Sequence, residues 1–337
     1  MRTFLFILKR AILLIPILLG ISALAFTMTH ILPGDPTYIL LSPYAKAEDI
    51  ARKRAELGLD KPLYIQYGIY LQDLLQGDMG HSYRTQQPVL SDLKQRFPVS
   101  FELTTLSLLL AILVGVPMGV QAAVRKDTWF DHLTRVLSTG GVSIPIFWTG
   151  IVLIFILYYK LQIAPAPLGR LDTTILPPRQ ITGMYSFDAL VTGNWPAFKS
   201  ALSHLALPVV TLAFAMIAPI LRITRNSMLE SLGSNYVRTA ISLGLKRHTV
   251  IYTDALRNSL LPVVTSIGLI YGWSLGGEVL VEAVFSWPGM GYYAVNSIIN
   301  MDFAPVQGFV LVTATIYVTV NLILDILYTV IDPRIAR

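Results

Sequence analysis

Cysteine is absent from the 337 residues, so neither a disulfide framework nor a thiolate metal site is available. Histidine is scarce. His30, His81, His132, His204 and His248 stand apart with no HExxH pair, a spacing that argues against a metal centre. The dipeptide Gly-Lys never occurs, so there is no GxxxxGK[ST] loop to cradle a nucleotide, and the chain does not hydrolyse ATP by itself. A GxSxG nucleophile elbow is missing as well: Gly140-Gly141-Val142-Ser143 fails because Pro145 stands where the last glycine belongs. Charge is sparse, at 14% of residues against 54% hydrophobic, with a mean hydropathy of +0.60. That balance belongs to an all-α integral membrane protein. The net charge of +6 does not point to nucleic acid, because the cations flank apolar runs, where lipid headgroups and topology account for them.

What is present is a series of apolar runs long enough to cross a hydrocarbon core of ~30 Å at ~1.5 Å per residue. The first follows Arg2, Lys9 and Arg10 and covers Ala11 to Thr29. Ala23-Leu24-Ala25 resembles a signal cleavage site, but apolar residues continue past it, which favours a retained span. Span two covers Val99 to Val124, with a lone Glu102 near one end. Ala111, Gly115, Gly119 and Ala123 recur every four residues along it and leave a flat stripe for close helix packing. Span three covers Leu133 to Tyr159 and carries Pro145, a kink residue. Spans four, five and six cover His204 to Leu221, Val263 to Val281 and Pro305 to Ile331. In span five, Gly268, Gly272 and Gly276 repeat the close-packing spacing.

Between spans one and two the chain turns polar at LPGDP, Leu32 to Pro36. Two helical patterns follow. Ala45 to Leu57 is rich in helix formers and stopped by Gly58, and Leu63 to Leu75 has one apolar face made by Leu63, Tyr67, Tyr70, Leu71 and Leu74. They predict a small folded helical lobe outside the membrane. The stretch Leu161 to Leu202, dense in proline and glycine, reads as a second outer loop. Short segments assigned inside hold thirteen cations, while Glu282 to Ala304 between spans five and six holds none. This asymmetry predicts six spans with both termini in the cytoplasm. The expected division is residues 1–98 (first span plus lobe), 99–331 (the core, with a cytoplasmic stretch over 222–262) and a tail over 332–337.

Two polar pairs lie at or near membrane depth. Glu278 and Glu282, four apart before Trp287, read equally as lining an outer mouth or as solvated residues at a helix end. Asn321 and Asp325 share a face of span six, and an intramembrane acid usually pairs, with Arg135 or Arg222 as conceivable partners.

The longest basic segment between apolar runs is YVRTAISLGLKRHTVIYTDALRNSLLP, Tyr236 to Pro262. Its helix, glycine, helix punctuation is more than a headgroup-binding loop needs. YVRTAISLG and ALRNSLLPV resemble the cytoplasmic coupling motif of binding-protein-dependent ABC transporter permeases, in the dipeptide, oligopeptide and nickel branch. LPGDP, LGLDKPLYIQY (Leu57 to Tyr67), GDMGHSY (Gly77 to Tyr83), VFSWPGMG (Val284 to Gly291) and the terminal DPR are similar to that branch too. The chain departs from the general motif at Arg238, Thr239 and Arg257, while Ala240 and Gly244 agree with it. The resemblance implies a type I importer permease fold in a bacterial inner membrane. It implies coupling to an ATPase through Tyr236, Val237, Arg238, Ala240, Leu243, Gly244 and Arg257. The implied partners are a second homologous permease, two ATPases holding ATP and magnesium, and an extracytoplasmic solute-binding protein, with no cofactor in this chain. Short peptides lead as substrate, with nickel or another metal chelate as the alternative. A stand-alone channel, an ion-coupled carrier and an intramembrane hydrolase are the rivals of other classes.

Overall fold

The computed structural model describes residues 2–31, 46–56, 58 and 60–331. LPGDP and the terminal DPR lie outside the described residues. The described residues are helical throughout, apart from loops and one isolated β-bridge. Helix α1 is Arg2–Ile31, α2 is Ala47–Glu56, α3 is Leu63–Leu75 and α4 is Val89–Val124. Helices α5 (Trp129–Ser143) and α6 (Ile146–Lys160) form a broken pair. Then follow α7 (Tyr185–Val191), α8 (Trp195–Leu232), α9 (Asn235–Ser242) and α10 (Arg247–Gly276). Two short helices, α11 (Val279–Val284) and α12 (Met290–Ile299), precede α13 (Phe303–Ile331). Among the described residues four helices are long and apolar enough to cross a membrane, or five if the bent α5–α6 pair is one span, and the apolar stretch Ile12–Thr27 lies within α1.

The small-residue stripes set the packing. A Cβ placed on Gly115 would lie 3.1 Å from Ile220, and one on Gly119 would meet Thr224 at 2.7 Å and the Leu221 carbonyl at 2.8 Å. Contacts advance in the same sense along both helices, so α4 and α8 run parallel. Two parallel neighbours require the chain between them to return across the membrane, and α5 with α6 does so. Asp131 at the start of α5 bonds Arg225 near the end of α8. Beyond α6, Arg170 bonds Glu102 near the start of the apolar part of α4. The α5–α6 pair, bent at Ser143 to Pro145, therefore leads from the end bearing Asp131 and Arg225 to the end bearing Glu102 and Arg170. Its 103° bend far exceeds the kink expected at Pro145. Helices α10 and α13 pack antiparallel: Gly268 faces Leu324 and Gly276 faces Thr313.

Several boundaries differ from the sequence reading. Helix α4 begins at Val89 behind Pro88, whose φ of −57° suits a helix entrance, so residues 98 and 99 fall inside one helix. Trp195 opens α8 nine residues before the expected His204, because Asn194 caps it by accepting from the Ala197 N–H at 3.2 Å. Helix α8 also continues beyond Arg222 and Arg225 to Leu232, since cations mark a membrane edge without ending a helix. The second outer loop is not wholly irregular, because it holds α7. The expected lobe has no core of its own: among the described residues of 46–78 only Gly58 is buried. Tyr67 and Tyr70 instead lean on α1. The Tyr67 hydroxyl lies 2.9 Å from that of Ser22, and both tyrosine rings meet Phe26 in tilted contacts, with centroids 5.4 and 5.6 Å away.

Candidate functional site

The basic end of the bundle carries α9 as a short helix laid across it. Val237 and Ala240, three apart, are buried with Val120, Ala123, Met228, Val250, Ile251 and Ala255. The other face is open, with Tyr236, Arg238, Ile241 and Leu243 exposed, and Leu245 exposed just beyond. A polar helix would not leave tyrosine, isoleucine and two leucines in water together, and a contiguous apolar patch of this kind marks a contact surface. The helix stops in a Schellman motif: the Gly244 N–H donates to the Ile241 carbonyl at 2.9 Å and the Leu245 N–H to the Ala240 carbonyl at 3.2 Å. Gly244 sits at φ +76° with nothing within 4 Å of a notional Cβ, so the backbone angle, not crowding, requires glycine. From Arg247 the chain enters α10 through a π-helical turn, Val250–Ala255, and continues unbroken along the span. Arg257 is exposed on α10. The seven sequence candidates are thus of two kinds. Val237 and Ala240 anchor α9 to the body; Tyr236, Arg238, Leu243, Gly244 and Arg257 lie at the surface.

The opposite end is held by buried carboxylates. Glu102 is 3% exposed and meets the Arg170 guanidinium at 2.7 Å, while the Ser186 N–H and hydroxyl donate to its second oxygen at 2.7 and 2.6 Å. Arg170 also lies 3.6 Å over the Tyr185 ring and donates to the Gly183 carbonyl. Asp188, buried in α7, closes this loop. Burial acts to raise its pKa, but hydrogen bonds from the Thr182 hydroxyl and from the N–H groups of Thr182, Ile181 and Gly183 outweigh it and hold the carboxyl below its ordinary value. Nothing in the sequence announced Arg170; an unpaired glutamate entering an apolar run was the one signal that such a cation existed.

Glu278, Glu282 and Trp287 do not form a mouth. Glu282 is 2% exposed, accepting from the Ser100 hydroxyl at 2.6 Å and the Tyr292 N–H at 2.9 Å, so it caps the start of α12 and ties it to α4. Trp287 is 1% exposed and points its indole N–H at the Val99 carbonyl. Glu278 is buried where α10 meets α11. Glu282 and Trp287 are enclosed because the Trp287-Pro288-Gly289 turn folds back over α4, with no room for a Cβ on Gly289 beside the Glu282 carboxylate. On α13, Asn321 donates to the Tyr317 carbonyl at 2.9 Å, and Asp325 is half-buried one turn further on. The guanidinium of Arg135, one of the two conceivable partners of Asp325, contacts the His132 ring.

The family model described as binding-protein-dependent transport system inner membrane component matches residues 115–337, and its N-terminal companion matches residues 3–104. The chain belongs to this family. Relatives of the inner membrane component run along nearly its whole length. It is 44% identical to the "Probable D,D-dipeptide transport system permease protein" of Escherichia coli over 96% of this chain and 95% of that one. It is 40% identical to the dipeptide transport system permease protein of Alkalihalophilus pseudofirmus, over 97% and 98% of the two chains. A glutathione transport system permease protein of Salmonella paratyphi A is 36% identical over 98% of each.

Proposed function

We propose that this chain is the permease subunit of an ATP-driven importer that carries short peptides across the inner membrane. The observation that carries the reading is α9. It is an exposed apolar face anchored by Val237 and Ala240 and joined through Gly244 to a helix that continues into the membrane. A force applied to such an element displaces α10 as a body, which is what a motor on another chain needs. Two cytoplasmic ATPases would bind there and hold the ATP and magnesium. A second, homologous permease would complete the passage, and an extracytoplasmic solute-binding protein would deliver the substrate at the end bearing Glu102 and Glu282. In this reading α1, α4, the α5–α6 pair, α8, α10 and α13 are six spans, residues 222–262 face the cytoplasm with both termini, and the region before α4 lies outside.

The substrate class follows from the relatives, whose names give dipeptides and glutathione, and this favours peptide over a nickel chelate. The test is uptake of a labelled dipeptide into proteoliposomes containing both permeases, both ATPases and the binding protein. Uptake is expected with internal ATP and not with an ion gradient alone. Gradient-driven uptake without the ATPases would replace this reading with a carrier.

A further inference from the structure

Helix α5 has two polar sides, and packing accounts for only one. On the first, Asp131, Thr134, Ser138 and Gly141 are buried; Asp131 is bonded to Arg225, and the notional Cβ of Gly141 touches Ala218 at 3.0 Å. On the second, His132, Arg135, Thr139 and Ser143 succeed one another at spacings of three and four and are all exposed. Together with Val136 and Gly140, whose notional Cβ would meet nothing within 4 Å, they form an open surface on this one helix, with no other element packed over it among the described residues. At ~1.5 Å per residue the stripe runs ~17 Å from the basic end toward the bend at Pro145, more than half of a ~30 Å hydrocarbon core. The ionisable pair His132 and Arg135 opens the stripe within the first two turns of α5, and an arginine, a histidine and two hydroxyls on one face suit a bundle interior or a water-filled cavity better than lipid. A span broken by 103° is itself tolerated where its freed backbone groups line such a cavity.

Among the described residues Arg135 contacts no carboxylate. Its guanidinium meets the ring of His132, and the nearby Asp131 is already engaged by Arg225. The remaining guanidinium donors are available toward the open face of the helix.

We propose that the His132, Arg135, Thr139, Ser143 face of α5 is the water-lined wall of the inner half of the passage, and that Arg135 receives the terminal carboxylate of the peptide in transit. The second half of this inference rests on the peptide-importer reading; the first does not. A guanidinium fork matches a carboxylate in two parallel hydrogen bonds. The hydroxyls of Thr139 and Ser143, one and two turns further on, serve peptide amides of any side chain, which suits a passage that must not select by sequence.

The absence of cysteine makes the test direct, since single-cysteine variants need no altered background. Thr139→Cys, Ser143→Cys and the control Leu113→Cys, whose parent leucine is 71% exposed on α4, are assembled with the partner permease and ATPases and treated with an impermeant methanethiosulfonate. The first two are expected to react at least about tenfold faster than the control, because the reactive thiolate forms in water and not in an apolar setting. Equal rates would mean a dry face, against lipid or the second permease, and overturn the wall. Millimolar dipeptide added on the cytoplasmic side is then expected to slow labelling of Thr139→Cys, and Arg135→Gln to abolish that protection. Protection that survives Arg135→Gln, or no protection in a complex that takes up dipeptide, would overturn the role of Arg135. Fast labelling in a complex that takes up no dipeptide would instead fault the substrate reading and leave the wall standing.

Discussion

The two ends of this molecule are built from different interactions. At the end bearing Glu102, Asp188 and Glu282, buried carboxylates collect donors from segments far apart in the chain: Glu102 from Arg170 and Ser186, Glu282 from Ser100 and Tyr292. At the basic end, α9 is seated by Val237 and Ala240 against small and aliphatic side chains, with Asp131–Arg225 as the strong polar tie nearby. Directional bonds to a buried charge tolerate little displacement, whereas apolar contacts slide at modest cost. The carboxylate end is a fixed collar, and the basic end is a joint. A transporter driven from one side needs that asymmetry, because motion delivered to the joint is useful only if the far end keeps its shape.

The sharpest attack on this contrast is Glu102→Ala. It strands Arg170 in a buried site and is expected to cost about 3–5 kcal/mol, read as a lowered unfolding temperature of the detergent-solubilised complex. A loss no larger than that of a joint substitution would erase the distinction. Next comes Gly244→Pro, which cannot adopt φ +76° and should abolish uptake while ATP hydrolysis by the complex continues. Gly244→Ala should retain partial uptake, since the left-handed conformation costs alanine only about 1–2 kcal/mol. Uptake unchanged in both would remove α9 from the coupling path. Val237→Ala deletes two methyl groups and should lower stability by about 1–2 kcal/mol, with a measurable fall in uptake per ATP hydrolysed. The smallest effect concerns Asp188. Its lowered carboxyl stabilises the fold fully above the unfolded value near 3.9 and loses that contribution as pH falls through the folded value. The gap in unfolding temperature between the parent chain and Asp188→Asn should therefore be constant above about pH 4 and close below it. A gap that widens on acidification would contradict the hydrogen-bond cradle.

Local features were legible and tertiary ones were not. The four-residue recurrence of Gly115 and Gly119, and of Gly268, Gly272 and Gly276, foretold close helix contact because a flat stripe has few other uses. Helix α3 was bounded correctly at Leu63 and Leu75, and the glycine stop of α9 was read from Gly244. Helix starts at Pro88 and Asn194 were misplaced, because hydropathy marks the membrane edge while these helices project beyond it. The fates of Glu282 and Trp287 were hidden for a different reason. Their partners Ser100 and Val99 lie 182 and 188 residues away, and no local pattern encodes a meeting across that distance. Asp131 and Arg225 were passed over likewise, since each alone looks like an ordinary charge near a membrane surface.

The contact of Gly119 with the Leu221 carbonyl sets a limit on how this machine moves. An obstacle made of backbone cannot rotate aside, so α4 and α8 cannot creep past each other by a fraction of a turn. Sliding must skip a whole helical repeat of ~5.4 Å or not occur at all. A displacement received at the basic end of the pair is therefore expected to carry both helices together toward the collar, as along a push-rod.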